Sequence, residues 1–332
     1  MTQQRRLFGV AWPESVNQRG AFMIDLFLLI LPLYLLIGIG FLATRTQLLA
    51  AGVIPALGSF VLNIALPALI INALMSQNLR ETINIGYLLA YGFGSLAAFG
   101  LVFLLFRLVL RRPLSQAAIA AFGGSASNSG FVGLPVVTLV LGTTALTAVP
   151  LTMLIENLII IPLALALAEI GQHREKTLPA VLRETARSLV RSPLLLSILA
   201  GAVLSASGIQ FPSPVARTIS LLAAAAVPCA LLIVGGMLAN MQVRSFGSET
   251  LWITIAKLAV HPLAVALVFM FVDGVPADLR AAGIILAASP MVSIYPIIGA
   301  RFGQERMTAA ALFAATALSF ITITIVLSLS LG

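Results

Sequence analysis

Charged side chains are scarce in this sequence. Asp, Glu, Lys and Arg make up 9% of its 332 residues, against about 25% in an ordinary soluble domain. With 60% hydrophobic residues and a mean hydropathy of +1.09, this excludes a water-soluble globular chain. It also excludes a disordered one, which needs low hydrophobicity and high charge. Cysteine is nearly absent. Cys229 is the only one and lies in an apolar run, so an intrachain disulfide and a cysteine-cluster zinc site are both excluded, and Cys229 is expected to be a small packing residue. No Walker phosphate loop, His-Glu-x-x-His zinc motif, Gly-x-Ser-x-Gly elbow or membrane-protease aspartate pair occurs. ATP drive by this chain and the common hydrolytic chemistries therefore have no sequence support, and no resident metal or cofactor is expected. Residues 1–24 hold Arg5, Arg6, Pro13, Glu14 and Arg19 without a long apolar core or a clear cleavage site. They read as a polar tail, with room for a short helix on the membrane surface, rather than a cleavable signal.

What remains is long apolar runs. A spanning helix needs about 20 mostly apolar residues, and ten such runs are present: 26–44, 52–75, 86–109, 115–141, 146–170, 193–211, 216–240, 250–272, 279–301 and 307–331. The formal net charge of +8 would suggest nucleic acid in a soluble protein. Here Lys and Arg fall between apolar runs, so membrane topology explains them and no nucleic-acid partner is expected. The longest connection, 171–192, is charged and partly amphipathic, and it divides the chain into five spans on each side (25–170 and 193–332).

Displaced by 161 residues, the two halves align. Pro32 falls on Pro193, Pro67 on Pro228, Pro135 on Pro296, Gly40 on Gly201 and Gly142 on Gly303. Each half has an odd number of spans, so the second must enter the membrane from the opposite side, as in the inverted repeats of transporters. One face carries twelve Lys and Arg, from Arg45 to Arg306. The other carries six, three of them in the tail. The positive-inside rule puts the 171–192 loop in the cytoplasm and both termini outside.

Span 4 contains Gly123, Gly124, Gly130 and Gly133, then Pro135. Span 9 contains Pro290 and Pro296. Glycine weakens a helix, and proline removes a donor and clashes with the preceding turn, so both spans are expected to break near their middles. Bare backbone at that depth is tolerated where it lines a cavity or is buried in protein. Two breaks at matched repeat positions point to a binding site, and the positive ends of half-helices suit a carboxylate. Ser127, Asn128, Ser129, Ser289 and Ser293 flank the breaks.

These residues carry a family likeness. NSGFVGLPVVTLVLG (128–142) resembles the signature of the auxin efflux carrier family, which includes plant PIN-type carriers and bacterial malonate and malate permeases. VLNIALPALIINALMS (61–76), LIENLIIIPL (154–163), KLAVHPLAVAL (257–267) and ASPMVSIYPIIGARFG (288–303) resemble its second, fifth, eighth and ninth spans. The resemblance implies an all-α, ten-helix 5+5 inverted repeat of the bile-acid-symporter-like, elevator type with crossing helices 4 and 9. Spans 1, 2, 6 and 7 would form a scaffold and homodimer interface, and spans 3–5 and 8–10 a moving transport domain. It implies an organic-anion substrate such as malonate, malate or an auxin-like aromatic carboxylate. The central loop has the short bacterial length, and the N-terminal tail is longer than the resemblance explains.

The candidate substrate-binding set is Ser127, Asn128, Ser129, Gly130, Pro135, Ser289, Pro290, Tyr295, Pro296 and Asn63. Carried over from the motif, Asn128 would touch substrate, or it would tie up backbone freed at the break. Ser289 occupies its repeat position, so the site lacks a second asparagine. Asn63 would face substrate across the scaffold or stabilise the kink at Pro67. Tyr295 would close the site or anchor its helix.

Three ionisable residues lie inside spans. Glu156, ten residues into span 5, could carry a proton or pair with Lys257. Lys257, seven residues into span 8, could be a counter-charge or snorkel to the surface. His261, one turn beyond on the same face, could titrate or bond a neighbouring carbonyl. Proton and sodium coupling both stay open. A membrane-embedded enzyme using these three residues and a transporter-like sensor are the competing classes, the first lacking a catalytic motif and the second an appended signalling domain.

Overall fold

The computed structural model describes residues 16–50, 52–75, 84–172, 193–207, 209, 211–241 and 246–331. Most of the 171–192 loop and residues 1–15 of the tail lie outside these. Seven helices are long and apolar enough to cross a membrane: Leu28–Arg45, Val53–Asn72, Ile85–Val109, Thr147–Ile170, Ser213–Asn240, Ser248–Met270 and Glu305–Leu329. No strand occurs among the described residues, only an isolated bridge between Ser127 and Met291. Three expected spans are missing from the seven for local reasons. The runs at 115–141 and 279–301 are interrupted, and the run at 193–211 forms a helix that ends at Ala206.

The α-helices in chain order are α1 (Val16–Arg45), α2 (Val53–Phe60), α3 (Leu66–Met75), α4 (Ile85–Leu104), α5 (Leu114–Ser125), α6 (Leu134–Leu141), α7 (Ala145–Ile155), α8 (Ile161–Ile170), α9 (Pro193–Ala206), α10 (Ser213–Asn240), α11 (Ser248–Ile255), α12 (His261–Met270), α13 (Ala277–Ala288), α14 (Tyr295–Arg301) and α15 (Glu305–Leu331). The first helix starts at Val16 and runs without interruption into the first expected span.

Within three spans, two α-helices are joined by a single π-helical turn, at Val61–Ala65, Glu156–Ile160 and Ala256–Val260, and in a fourth the π-helical turn Ser129–Gly133 opens the helix that follows the break. Each turn begins six residues before a proline: Pro67, Pro135, Pro162 and Pro262. The residue preceding each proline donates its N–H to the carbonyl five residues back, as in Ile161 to Glu156 and His261 to Ala256. A proline ring collides with the carbonyl four residues back. Widening the preceding turn relieves that collision, and such turns gather at functional sites. Asn63, Ser129, Glu156 and Lys257 all lie within these turns.

The centre is built from small residues. In α5 every residue from Ala117 to Ser125 is buried, and in α13 every residue from Ala281 to Ala288 except Ile284. Lipid offers no hydrophobic drive between helices, so small side chains that let backbones approach closely are what hold such a bundle together. Large apolar residues instead face outward in stripes, such as Leu251, Ile255, Leu263 and Leu267. On a soluble protein such patches would be a liability; here they read as lipid contact.

Helices α1, α3, α9 and α10 pack chiefly on one another. Helices α4, α5, α8 and α11–α15 form a second packed group. The groups meet where α10 lies against the turn Ser129–Gly133, and where Tyr34 bonds Ser319 (3.1 Å) and packs on Phe320.

The crossing of α1 and α10 depends on reciprocal glycines. A methyl group on Gly40 would overlap the backbone of Leu232, and one on Gly235 the backbone of Ile37. Backbone cannot step aside as a flexible side chain can. Gly235→Val is therefore expected to cost about 1–3 kcal/mol of stability, read as a lowered melting temperature in detergent. Gly58→Ala, which meets nothing within 4 Å, should leave melting nearly unchanged. Equal melting of the two variants would show that this crossing is not close-packed.

Candidate functional site

The two interrupted spans meet at their breaks. Helix α5 ends at Ser125, and Ala126 is extended (φ −106°, ψ 132°). Helix α13 ends at Ala288, and Ser289 is extended (φ −63°, ψ 153°). The extended segments pair antiparallel through Ser127 and Met291. The Asn128 N–H donates to the Pro290 carbonyl at 2.7 Å.

Asn128 makes two further bonds. Its Oδ1 accepts from the Phe131 N–H at 3.2 Å, capping the second half of span 4, and its Nδ2 donates to Ser293 Oγ at 2.6 Å. A polar side chain at this position is what an N-cap needs, and the amide's second face reaches the other broken span. Asn128 is thus both the backbone tie and the residue at the crossing point.

The half-helix ends at the crossing are met by the protein's own charges. Glu156 is buried. Its Oε1 accepts from the Ser127 N–H at 2.7 Å and from Tyr91 OH at 3.3 Å, and its Oε2 from Ser129 Oγ at 2.8 Å. An acceptor carboxyl thereby sits at the N-terminal, positive end of Ser129–Leu141, where a negative charge is favoured. Lys257 is fully buried and donates to the Ala287 carbonyl at the C-terminal, negative end of α13. It does not snorkel.

No ion pair within 4 Å joins Glu156 to Lys257; each is tied to a different broken span. The Lys257 ammonium can only donate, so His261 Nδ1, 3.1 Å away, accepts from it. The opposite nitrogen, Nε2, is then the N–H that faces Ser95 Oγ at 2.9 Å. In this arrangement His261 is neutral, and its partners are an ammonium and a hydroxyl rather than a carbonyl.

The remaining candidates divide. Ser127, Ser129, Ser289 and Pro290 are buried at the breaks, and Pro135 and Pro296 are buried in the half-helices that follow them. Gly130 faces Leu66 and Met153 with room for a methyl group, whereas a methyl group on Gly133 would overlap Leu286. Tyr295 is buried with its ring edge-on to Phe122 (centroids 5.6 Å apart), and its hydroxyl has no hydrogen-bond partner among the described residues. Asn63 is apart from this group: it is exposed and bonds back to Ser59 within its own helix (2.8 Å to the carbonyl).

Three participants escaped the sequence reading. Tyr91 holds Glu156, Ser95 holds His261, and Tyr87 continues the line through Thr152 at 2.6 Å. They recur every four residues along α4, a hydroxyl stripe on one face that helical spacing alone could have revealed.

This is a multi-pass, all-helical membrane protein whose two broken spans meet at a buried polar centre, the arrangement of a membrane transporter. Residues 25–327 match the family model described as membrane transport protein, and the chain belongs to that family, the auxin efflux carrier family of the resemblance above. It is 30% identical over 300 residues to a protein of Rhizobium meliloti (strain 1021) described as a putative malonate transporter, a match covering 89% of this chain and 93% of that relative.

The Glu156 bonds set an expectation for stability. Glu156→Ala removes the carboxylate that accepts from three buried donors and should cost about 3 kcal/mol or more. Glu156→Gln retains an acceptor oxygen and should cost clearly less. Thermal melting in detergent without substrate compares them, and equal losses would mean that the carboxyl is not holding the crossing.

Proposed function

We propose that this protein is a secondary transporter that moves a small organic anion, a mono- or dicarboxylate of the malonate or malate class, across the cytoplasmic membrane by alternating access. The observation that carries the proposal is the meeting of two broken helices at a buried polar centre, in a member of a transporter family. Support for a carboxylate comes from the donors gathered there: the Asn128 amide, the hydroxyls of Ser127, Ser129, Ser289 and Ser293, and the Lys257 ammonium. The relative described as a malonate transporter supports the same class.

The internal charges suggest how transport is coupled. Glu156 and Lys257 balance one another, so an added carboxylate would be a buried charge without a counter-charge, which is strongly unfavourable. Protonation of Glu156 would release the Lys257 charge to balance the substrate. Sodium is the alternative, since unwound carbonyls bind it; against this, the Lys257 ammonium already occupies the Ala287 carbonyl at the α13 end. The group containing α4, α5, α8 and α11–α15 would be the moving body, and α1, α3, α9 and α10 the scaffold and homodimer interface. The arginine-rich face would lie in the cytoplasm with both termini outside.

Uptake of radiolabelled malonate and malate into proteoliposomes tests the reading. Saturable uptake is expected, faster with an inward proton gradient and indifferent to Na⁺. Uptake of a cation or neutral solute, with none of any carboxylate, would overturn it. Asn128→Ala is expected to lower uptake at least tenfold while the protein still elutes as a folded species; unchanged substrate affinity would remove Asn128 from the site. Binding by wild type should tighten as pH falls, because the substrate needs Glu156 protonated. In Glu156→Gln the binding should be independent of pH, and an unaltered profile would reject Glu156 as the proton carrier.

A further inference from the structure

On the arginine-rich face, away from the crossing, two cavities adjoin and share Gly247, Ser248 and Thr250. One is an apolar groove of about 510 Å³ between α11 and α15, walled by Leu251, Phe246, Phe313, Ala317 and Leu318. Phe246 and Phe313 face each other there, ring centroids 6.5 Å apart. The other is a polar pocket of about 340 Å³ at the groove's end, lined by Arg112, Glu249, Arg306 and Met307. Glu249 is already neutralised: it pairs with Arg112 and accepts from Gln116 Nε2 at 2.7 Å. Arg306 is exposed and makes no ion pair with any described residue. Arg107 reaches the Arg112 carbonyl at 3.3 Å, adding a further cation beside the pocket.

The charge and the apolarity are arranged end to end. The polar pocket lies where the connection between α4 and α5 meets the first turns of α11 and α15, the level of a membrane surface. The groove runs from there along the lipid-facing sides of two spanning helices. Neither half alone selects a lipid: an apolar groove accepts any acyl chain, and a basic pocket accepts any anion. Joined, they match one molecule with an acyl chain and a negatively charged headgroup. Basic pockets between spanning helices on the cytoplasmic side recognise such headgroups.

We propose that this composite groove binds an anionic phospholipid. Its headgroup phosphate lies against Arg306 and the outer edge of Arg112, and one acyl chain lies between Phe246, Phe313, Leu251 and Leu318. The site is independent of the transported substrate. It joins α11 and α15 to the connection before α5, and so fixes these helices to one another at the membrane surface.

Purified protein is exchanged into nanodiscs of equal parts dioleoyl phosphatidylglycerol and dioleoyl phosphatidylcholine, then released into mild detergent, and the retained lipid is quantified by native mass spectrometry. Wild type should retain phosphatidylglycerol over phosphatidylcholine by at least fivefold. Arg306→Glu should abolish that preference, and Ala317→Trp, which fills the groove, should lower retention of both lipids. All three proteins should melt alike in detergent without added lipid, which separates loss of the site from loss of the fold. Equal retention of the two lipids by wild type, or an undiminished preference in Arg306→Glu, would overturn the proposal. So would full displacement of phosphatidylglycerol by millimolar inorganic phosphate, which would reduce the site to an anion pocket without an acyl component.

Discussion

Everything at the centre of this molecule follows from one requirement: backbone freed inside a membrane must find its hydrogen bonds within the protein. A single broken span would leave N–H and C=O groups bare at mid-depth. Two breaks placed against each other answer one another, with Asn128 N–H on the Pro290 carbonyl and Ser127 bridged to Met291. The same requirement extends to the helix ends. The positive end at Ser129 is met by Glu156 and the negative end at Ala288 is approached by Lys257. The crossing thus answers its own freed backbone and helix ends, with Asn128 tied to both spans.

The spanning helices that carry the charged residues are shaped by proline. At Pro162 and Pro262, as at Pro67 and Pro135, the preceding turn widens rather than breaks. Such a turn shifts the facing of every later residue relative to a regular α-helix. Glu156 and Lys257 lie within these turns, on helices that border the crossing from two sides. The rule that spaces these prolines is local, but its effect is to bring an acid and a base from distant parts of the chain to opposite ends of two half-helices.

Packing decides which helices surround the crossing. Alanine and glycine in α5 and α13 allow neighbours on all sides, so these half-helices are buried almost completely. Larger residues on α11, α12 and α15 face outward instead. Two packed groups result, and their contact through Gly130, facing Leu66 and Met153, is one where a methyl group would fit.

Much of this was legible in the linear sequence. The scarcity of charge and the apolar runs established an all-helical membrane protein, because the bilayer permits few alternatives. The glycines and prolines at 123–135 and 290–296 located both breaks, since their effect on a helix is local. The positions of Asn128, Glu156, Lys257 and His261 were visible as polar residues at forbidding depth. Their partners were not. That Glu156 binds Ser127 and Ser129 rather than Lys257, that Lys257 reaches a carbonyl instead of the surface, and that Asn63 stands outside the group are matters of which helix lies beside which. Residues distant in sequence meet only when the bundle closes, and hydrogen bonds of about 3 Å depend on rotations of whole helices that periodicity does not specify. The sequence by itself determined the class of protein, the breaks and the polar inventory. The tertiary structure alone decided how that inventory is paired, because pairing is a property of packing between helices and not of any helix taken singly.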